Sequence, residues 1–305
     1  MNKTARYILI IAVLVTAGIL SQVHCDIPVE ELKKKYADKD SRFMEISGTQ
    51  VHYRDQGRGP VLVLVHGTAA SLHTWDAWTE ELKNDFRIIR MDLPGFGLTG
   101  PRPDRDYSTG SYVSLIKELL GRVGADRCFM AGNSLGGAIT WNYALAHPGQ
   151  VRKIILIDAA GYPMDRTPYV FILARTPVLN SIMRWVTPRS VFRHNILEVY
   201  GDDSKVTEAL LDRYYELTMR EGNRQALIDR SREMTGYDPE KISKITTPAL
   251  IMWGSDDKWI PVSHAHNFKR DLKNSRLVIY QGAGHVPMEE LPLHTARDAR
   301  KFLLY

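Results

Sequence analysis

A serine between glycines, placed where an apolar run changes to a helical pattern, constrains this chain more than any other feature. The sequence GNSLGG at residues 132–137 follows the apolar stretch 128–131 and precedes the helix-forming stretch 138–146. Glycines on both sides of the serine permit a tight turn from strand to helix, which holds the hydroxyl away from the backbone. The first N–H groups of the helix can then face negative charge on a reacting oxygen. The motif predicts a nucleophile elbow, with Ser134 as the nucleophile of an acyl transfer.

Two later residues supply what such a serine needs. An acid candidate, Asp257, comes after the apolar run 250–253, and a histidine candidate, His285, comes after the strand-like run 276–280. A histidine takes the proton of the attacking serine, and an acid orients the imidazole and stabilises its positive charge. The chain order of serine, acid and histidine therefore predicts a catalytic triad.

Five motifs in register resemble those of the α/β-hydrolase fold family of serine hydrolases, in its lid-bearing branch. They are His66-Gly67 after the run 61–65, DLPGFG at 92–97, the Ser134 elbow, GSDDKWIP at 254–261, and Gly284-His285. The resemblance covers about Phe43 to the C-terminus. Short β-rich runs also alternate with helical periods along the chain, which predicts an α/β fold with a mostly parallel sheet and helices on both faces.

The resemblance implies roles for particular residues. Asp257 matches the acid-bearing loop of the family, whereas Asp158 is the alternative because some relatives draw their acid from that neighbouring loop. The oxyanion hole would consist of the backbone N–H groups of Leu135 and Thr68. His66 would brace the oxyanion loop and transfer no proton.

The α/β pattern is interrupted once. Residues 43–161 and 242–305 are predicted to form the hydrolase core, and the mainly helical stretch 162–241 to form an inserted lid over the active site. A charged segment at residues 26–42 either links the leader to the core or packs as a surface helix.

Residues 1–25 have the pattern of a membrane-directed leader. Lys3 and Arg6 precede an uncharged, mainly apolar run at residues 7–23, a little short of the roughly 20 residues that span a bilayer comfortably. A cleaved signal peptide and an uncleaved membrane anchor both stay open. Because basic flanking residues remain in the cytoplasm, the catalytic domain is predicted to be exported to the periplasmic or extracellular face.

Charge and motif content argue against several partners. The net charge of +5 comes from scattered basic residues, so no nucleic-acid partner is expected. No GxGxxG motif follows a strand and no Walker pattern occurs, so no cofactor is expected. His264 and His266 would point in different directions on a helix, and no metal is expected. None of these features specifies an oligomeric state.

The sequence predicts a hydrolase of carboxylic esters with small to medium apolar acyl groups, acting on a small-molecule substrate through an acyl-enzyme on Ser134. Serine at the elbow argues against resemblance to haloalkane dehalogenases and epoxide hydrolases, which place aspartate there. The elbow also resembles that of carbon–carbon bond hydrolases of ring-cleavage products, although residues 68–71 and Val286 depart from their pattern. A perhydrolase would use the same triad. A non-catalytic ligand-binding module is the alternative outside enzymes.

Overall fold

One eight-stranded sheet organises the part of the chain that the structure describes. The structure is a computed structural model that describes residues 6–7, 25–164, 166–233 and 238–305. The strand order is β1-β2-β4-β3-β5-β6-β7-β8. The strands are β1 (Ser41–Ile46), β2 (Thr49–Gly57), β3 (Val61–Val65), β4 (Arg87–Met91), β5 (Cys128–Asn133), β6 (Val151–Ile157), β7 (Ala249–Gly254) and β8 (Ser275–Tyr280).

The sheet is mostly parallel. β2 pairs antiparallel with β1 and β4, and every pairing from β4 through β3, β5, β6 and β7 to β8 is parallel. Ser47 and Gly48 connect β1 to β2 with positive φ angles of 50° and 75°, as the two-residue turns of twisted hairpins require. β1 and β2 thus form a β-hairpin at one edge of the sheet.

Helices cover both faces of this sheet, as predicted. The helices are α1 (Val29–Tyr36), α2 (Asp76–Leu82), α3 (Thr109–Arg122), α4 (Leu135–Ala146), α5 (Tyr169–Arg175), α6 (Leu179–Met183), α7 (Arg189–Val199), α8 (Glu208–Thr218), α9 (Asn223–Arg232), α10 (Ser263–Asp271), α11 (Pro287–Glu290) and α12 (Pro292–Leu304). Two hydrophobic cores result. Val63 and Val65 of β3 face a core that includes residues of α3, α4 and α10, while Leu62 and Leu64 face a core that includes residues of α2 and α12. Successive side chains of a strand point to opposite faces, so the central strands are apolar throughout.

Helices α5 to α9 lie between β6 and β7, where the sequence predicts an inserted lid. The α/β-hydrolase fold with an inserted helical region is therefore confirmed. The boundaries of the lid at residues 162 and 241 stay a prediction.

The segment that precedes the core packs against this helical region. The backbone N–H of Ile27 donates to the Met219 carbonyl oxygen, and Arg224 forms an ion pair with Asp26. Lys35 pairs with Glu216 of α8. Residues 29–36 thus form a packed surface helix, one of the two alternatives for the charged segment. The predicted leader at residues 1–25 lies almost entirely outside the described residues, and none of the helices described is both long and apolar enough to cross a bilayer.

Candidate active site

Ser134 occupies a strained turn between β5 and α4. Its backbone has φ 54° and ψ −115°, a region that residues with a side chain rarely adopt. The turn persists because the chain on either side is packed closely. A side chain on Gly136 would overlap the carbonyl oxygen of Val65, and one on Gly132 would overlap the carbonyl oxygen of Gly136. The glycines of the motif are therefore required by close backbone approach.

His285 and Asp257 form a buried hydrogen-bonded pair beside this turn. The Nδ1 atom of His285 lies 2.7 Å from Oδ2 of Asp257. The other carboxylate oxygen, Oδ1, accepts hydrogen bonds from the N–H groups of Trp259 and Ile260 at 2.7 and 2.9 Å. These bonds fix the carboxylate. A proton on Nδ1 leaves Nε2 of His285 able to accept a proton.

Asp158, the alternative acid, lies near this pair but bonds elsewhere. Its Oδ1 atom accepts a hydrogen bond from the N–H of Gly254 at 3.0 Å, and its Oδ2 atom is buried without a hydrogen-bond partner among the residues described. Burial and the neighbouring Asp257 carboxylate raise the pKa of Asp158 well above its usual value. This shift favours the neutral carboxylic acid form of Asp158. Asp256, by contrast, is exposed and accepts from the Ser255 hydroxyl.

Atoms of Asp158, Asp257 and His285 capable of ligating a metal all lie within 4.8 Å of one another. His285 and Asp257 already share a short hydrogen bond. The raised pKa of Asp158 favours its neutral form, which is a poor ligand because metals bind carboxylates in their ionised form. The grouping is thus explained by the hydrogen-bonded pair and the neighbouring Asp158 carboxyl.

Two backbone N–H groups belong to residues that share a cavity with Ser134. Thr68 and Leu135 line the same cavity as the serine, and within the described ranges neither N–H group donates a hydrogen bond to a protein atom. Leu135 begins α4, so its N–H belongs to the unpaired first turn of a helix. Neither group is therefore committed to another described residue.

His66 holds the loop that carries Thr68. Its Nδ1 atom donates to the Gly67 carbonyl oxygen at 2.7 Å, and its Nε2 atom accepts from the N–H of Leu93 at 2.9 Å. The side chain is fully buried, and burial lowers its pKa, which keeps the ring neutral. The bracing role expected of His66 agrees with these contacts.

Two supporting residues escaped the sequence analysis. Asn133 donates from Nδ2 to the carbonyl oxygens of Ile157 and His285, at 3.2 and 2.9 Å, so it joins the elbow to the histidine loop. The Trp259 ring stacks on the His285 ring with centroids 5.9 Å apart. For Asn133, its position directly before Ser134 was a sequence signal of a supporting role. For Trp259 no such signal existed, because it is separated from His285 in the chain.

A cavity of about 380 Å³ joins these groups to the inserted helices. Ser134, Thr68, Leu135 and His285 line it, while Asp257 and Asp158 do not. Much of the remaining wall consists of apolar side chains from α5, α6 and α7. The arrangement can therefore bind an apolar group next to a serine, a histidine and two N–H donors.

Comparison with known proteins extends these observations. Residues 62–299 match the model of the Alpha/beta hydrolase family. An uncharacterised hydrolase of Bacillus subtilis (strain 168) is 29% identical over 256 residues, which cover 82% of this chain and 93% of that protein. The 2-hydroxy-6-oxo-6-(2'-aminophenyl)hexa-2,4-dienoic acid hydrolase of Metapseudomonas resinovorans is 28% identical over 271 residues, which cover 86% of this chain and 90% of that protein. Among solved structures, a membrane phospholipase A, titled a novel bacterial virulence factor, is similar with a TM-score of 0.75 and 27% identity, covering 99% of this chain and 98% of that chain.

Proposed function

The chain belongs to the alpha/beta hydrolase family, and we propose that within this family it is a serine hydrolase that cleaves carboxylic esters with small to medium acyl groups. One observation carries the proposal. Ser134 lies at a strained elbow and lines the same cavity as His285, which is hydrogen-bonded to Asp257. Thr68 and Leu135 also line this cavity, and their N–H groups donate to no described residue. Nucleophile, base and oxyanion donors are the parts that acyl transfer requires.

In the proposed reaction, the Ser134 hydroxyl attacks the ester carbonyl carbon while His285 accepts its proton. Asp257 holds the imidazole in the required tautomer and stabilises its charge. The N–H groups of Thr68 and Leu135 stabilise the negative oxygen of the tetrahedral intermediate. Its collapse expels the alcohol, which takes the proton from His285. Water then attacks the acyl-enzyme by the same steps and releases the carboxylic acid.

The size of the cavity supports a limited acyl length. Small-molecule pockets span roughly 300–1,000 Å³, and the volume of about 380 Å³ lies near the lower end of that range. We therefore expect soluble esters of short to medium chains to react faster than long emulsified triglycerides. The membrane phospholipase A similar to this chain supports ester chemistry, because phospholipases A cleave carboxylic esters.

Carbon–carbon bond hydrolysis is the second candidate, favoured by the 28% identity to a dienoic acid hydrolase. Both reactions pass through the same elbow and histidine. A direct comparison separates them: loss of absorbance of a ring-cleavage product is measured beside release of 4-nitrophenol from esters. Faster turnover of the ring-cleavage product than of every ester in the series would reverse the order of the two proposals.

The test of the ester proposal combines a probe with a substrate panel. A fluorophosphonate probe should label the wild type and not Ser134→Ala, and 4-nitrophenyl esters of graded chain length should give a maximum at short to medium acyl groups. Labelling without any ester turnover would support a serine hydrolase but refute the proposal that its substrates are esters. Absence of both labelling and ester turnover would favour a ligand-binding module. Perhydrolysis is tested separately, by adding peroxide to the ester assay.

We also propose export of the catalytic domain across a membrane. The support is Lys3 and Arg6 before the only long apolar run of the sequence, together with similarity over 99% of the chain to a membrane phospholipase A. A periplasmic reporter fused after Asp26 should be active, and mass spectrometry of the mature N-terminus distinguishes cleavage from anchoring. A full-length protein found only in the cytosol would refute the proposal.

A further inference from the structure

Arg230 is a buried cation in the wall of the cavity. It lies on α9 with 1% of its surface exposed, and it lines the cavity that contains Ser134. Within the residues that the structure describes, its Nε and Nη1 atoms have no hydrogen-bond partner and no carboxylate forms an ion pair with it. Buried charges in proteins are ordinarily paired, because an isolated ion loses its hydration without compensation.

Neighbouring arginines follow that rule, and Arg230 departs from it. Arg224, which also lines the cavity, forms an ion pair with Asp26. Arg213 of α8 forms an ion pair with Glu289. The carboxylate next to Arg230 in the chain, Asp229, accepts two hydrogen bonds from Arg105. Asp229 is thus committed to Arg105, and no described residue supplies a counter-ion for Arg230.

A second polar group in the wall also lacks a partner among the described residues. The Oγ1 atom of Thr218, the last residue of α8, is buried, lines the cavity and makes no hydrogen bond to the described part of the protein. A hydroxyl and a guanidinium are both donors to anionic oxygens. In a mainly apolar cavity, these two groups offer unused donors at sites separate from the Ser134 elbow.

We propose that the cavity binds substrates that carry an anionic group, a carboxylate or a phosphate, through the Arg230 guanidinium, with the Thr218 hydroxyl as a further donor. The guanidinium is suited to both groups because its planar N–H donors match pairs of anionic oxygens. The inference rests on the proposed function, which supplies the reaction at Ser134. The anionic group is inferred separately, from the environment of Arg230. The inference adds an anionic group to the apolar acyl groups that the sequence predicts.

Three 4-nitrophenyl esters of equal acyl length test the inference: the hexanoate, the adipate with a free carboxylate, and the 6-phosphonooxyhexanoate. In the wild type, kcat/KM should be about 10- to 100-fold higher for an anionic ester than for the hexanoate, the range of a hydrogen bond to a charged group. Preference for the adipate identifies a carboxylate ligand, and preference for the phosphate ester identifies a phosphate ligand. Equal or faster turnover of the hexanoate would overturn the inference.

Variants assign the preference to Arg230. Arg230→Gln should reduce the ratio of anionic to neutral turnover to near one. Arg230→Lys should retain only part of this ratio, because lysine keeps the positive charge but cannot form paired hydrogen bonds. Arg232→Gln is the matched control, since Arg232 lies on the same helix with a side chain that is 58% exposed. An unchanged ratio in Arg230→Gln would refute the assignment. If that variant fails to fold by circular dichroism, the ratio in Arg230→Lys decides.

A binding measurement separates this inference from the proposed function. Ser134→Ala cannot form an acyl-enzyme, yet it should bind hexyl phosphate or adipate more tightly than hexanol by calorimetry, and Arg230→Gln in the same background should remove the difference. Equal binding of the anionic and neutral ligands, with ester turnover intact in the wild type, refutes only the anion site. Tight anion binding without ester turnover or probe labelling refutes only the proposed function.

Discussion

Replacing Asp257 by asparagine should nearly abolish turnover while the fold remains intact. The Oδ1 atom of the new amide can still accept from Trp259 and Ile260, so the loop keeps its shape. The other position becomes an N–H donor facing Nδ1 of His285, which lies 2.7 Å from the carboxylate in the native protein. Two donors cannot share that bond, so the imidazole takes the wrong tautomer. In a comparable triad this change costs about 10⁴ in kcat, which corresponds to roughly 5.5 kcal/mol of transition-state stabilisation.

The two other aspartates supply matched controls. Asp158→Asn exchanges a carboxyl group whose raised pKa favours the neutral form for an amide of the same shape, and the amide oxygen can still accept from Gly254. We expect less than about a tenfold loss of activity, because replacing the neutral form by an amide removes no charge. The Asp256 side chain is exposed and accepts from the Ser255 hydroxyl rather than from His285, so Asp256→Asn should change the rate by less than about twofold.

The assay is 4-nitrophenyl ester hydrolysis at saturating and limiting substrate, with circular dichroism for each variant. Because kcat and kcat/KM both report the transition state, they should fall together in Asp257→Asn. A collapse in Asp158→Asn alone would show that the acid is misassigned. Such a result would leave the roles of Ser134 and His285 unaffected.

The remaining predictions concern support of the site and pH. Gly136→Ala forces a side chain against a backbone carbonyl of β3 and should lower the free energy of unfolding by about 1–3 kcal/mol, whereas Gly121→Ala, which meets no atom within 4 Å, should not destabilise in urea titrations. Asn133→Asp loses the donor to the His285 carbonyl oxygen and should lower kcat about tenfold or more, near the cost of a buried unpaired group; an unchanged kcat would dismiss the link. The raised pKa of Asp158 means that its contribution to stability is fully present below its ordinary pKa and is lost as pH rises toward the folded-state pKa. Stability of Asp158→Asn relative to wild type should therefore increase between pH 4 and 8, and a constant difference in urea titrations would contradict the raised pKa.

Much of the fold was predictable because its signals are local. The strands beside the elbow are short apolar runs, and the two faces of the sheet require them to be apolar throughout. The Ser134 turn was predictable because its glycines adjoin it in the chain. The order of strands in the sheet was not predicted, since periodicity says nothing about which strands pair.

The choice of acid and the anion site depend on tertiary contacts. Asp158 and Asp257 both follow strands that lie side by side in the sheet, so sequence places them together without revealing which one bonds to His285. Arg230 belongs to a helix rich in charged and polar residues, a composition typical of a solvent-exposed helix. Its burial, and the lack of a counter-ion among the residues that the structure describes, result from packing of distant segments, which no local pattern encodes.

The central claim is that Ser134 is a nucleophile activated by His285, and site-specific labelling tests it most directly. Wild type and Ser134→Ala are treated with a fluorophosphonate probe, and the modified peptide is identified by mass spectrometry after proteolysis. The account predicts one adduct, on Ser134, that is absent from Ser134→Ala and formed far more slowly in His285→Ala. Equal labelling of Ser134→Ala at another serine, or no labelling of folded wild type, would contradict it.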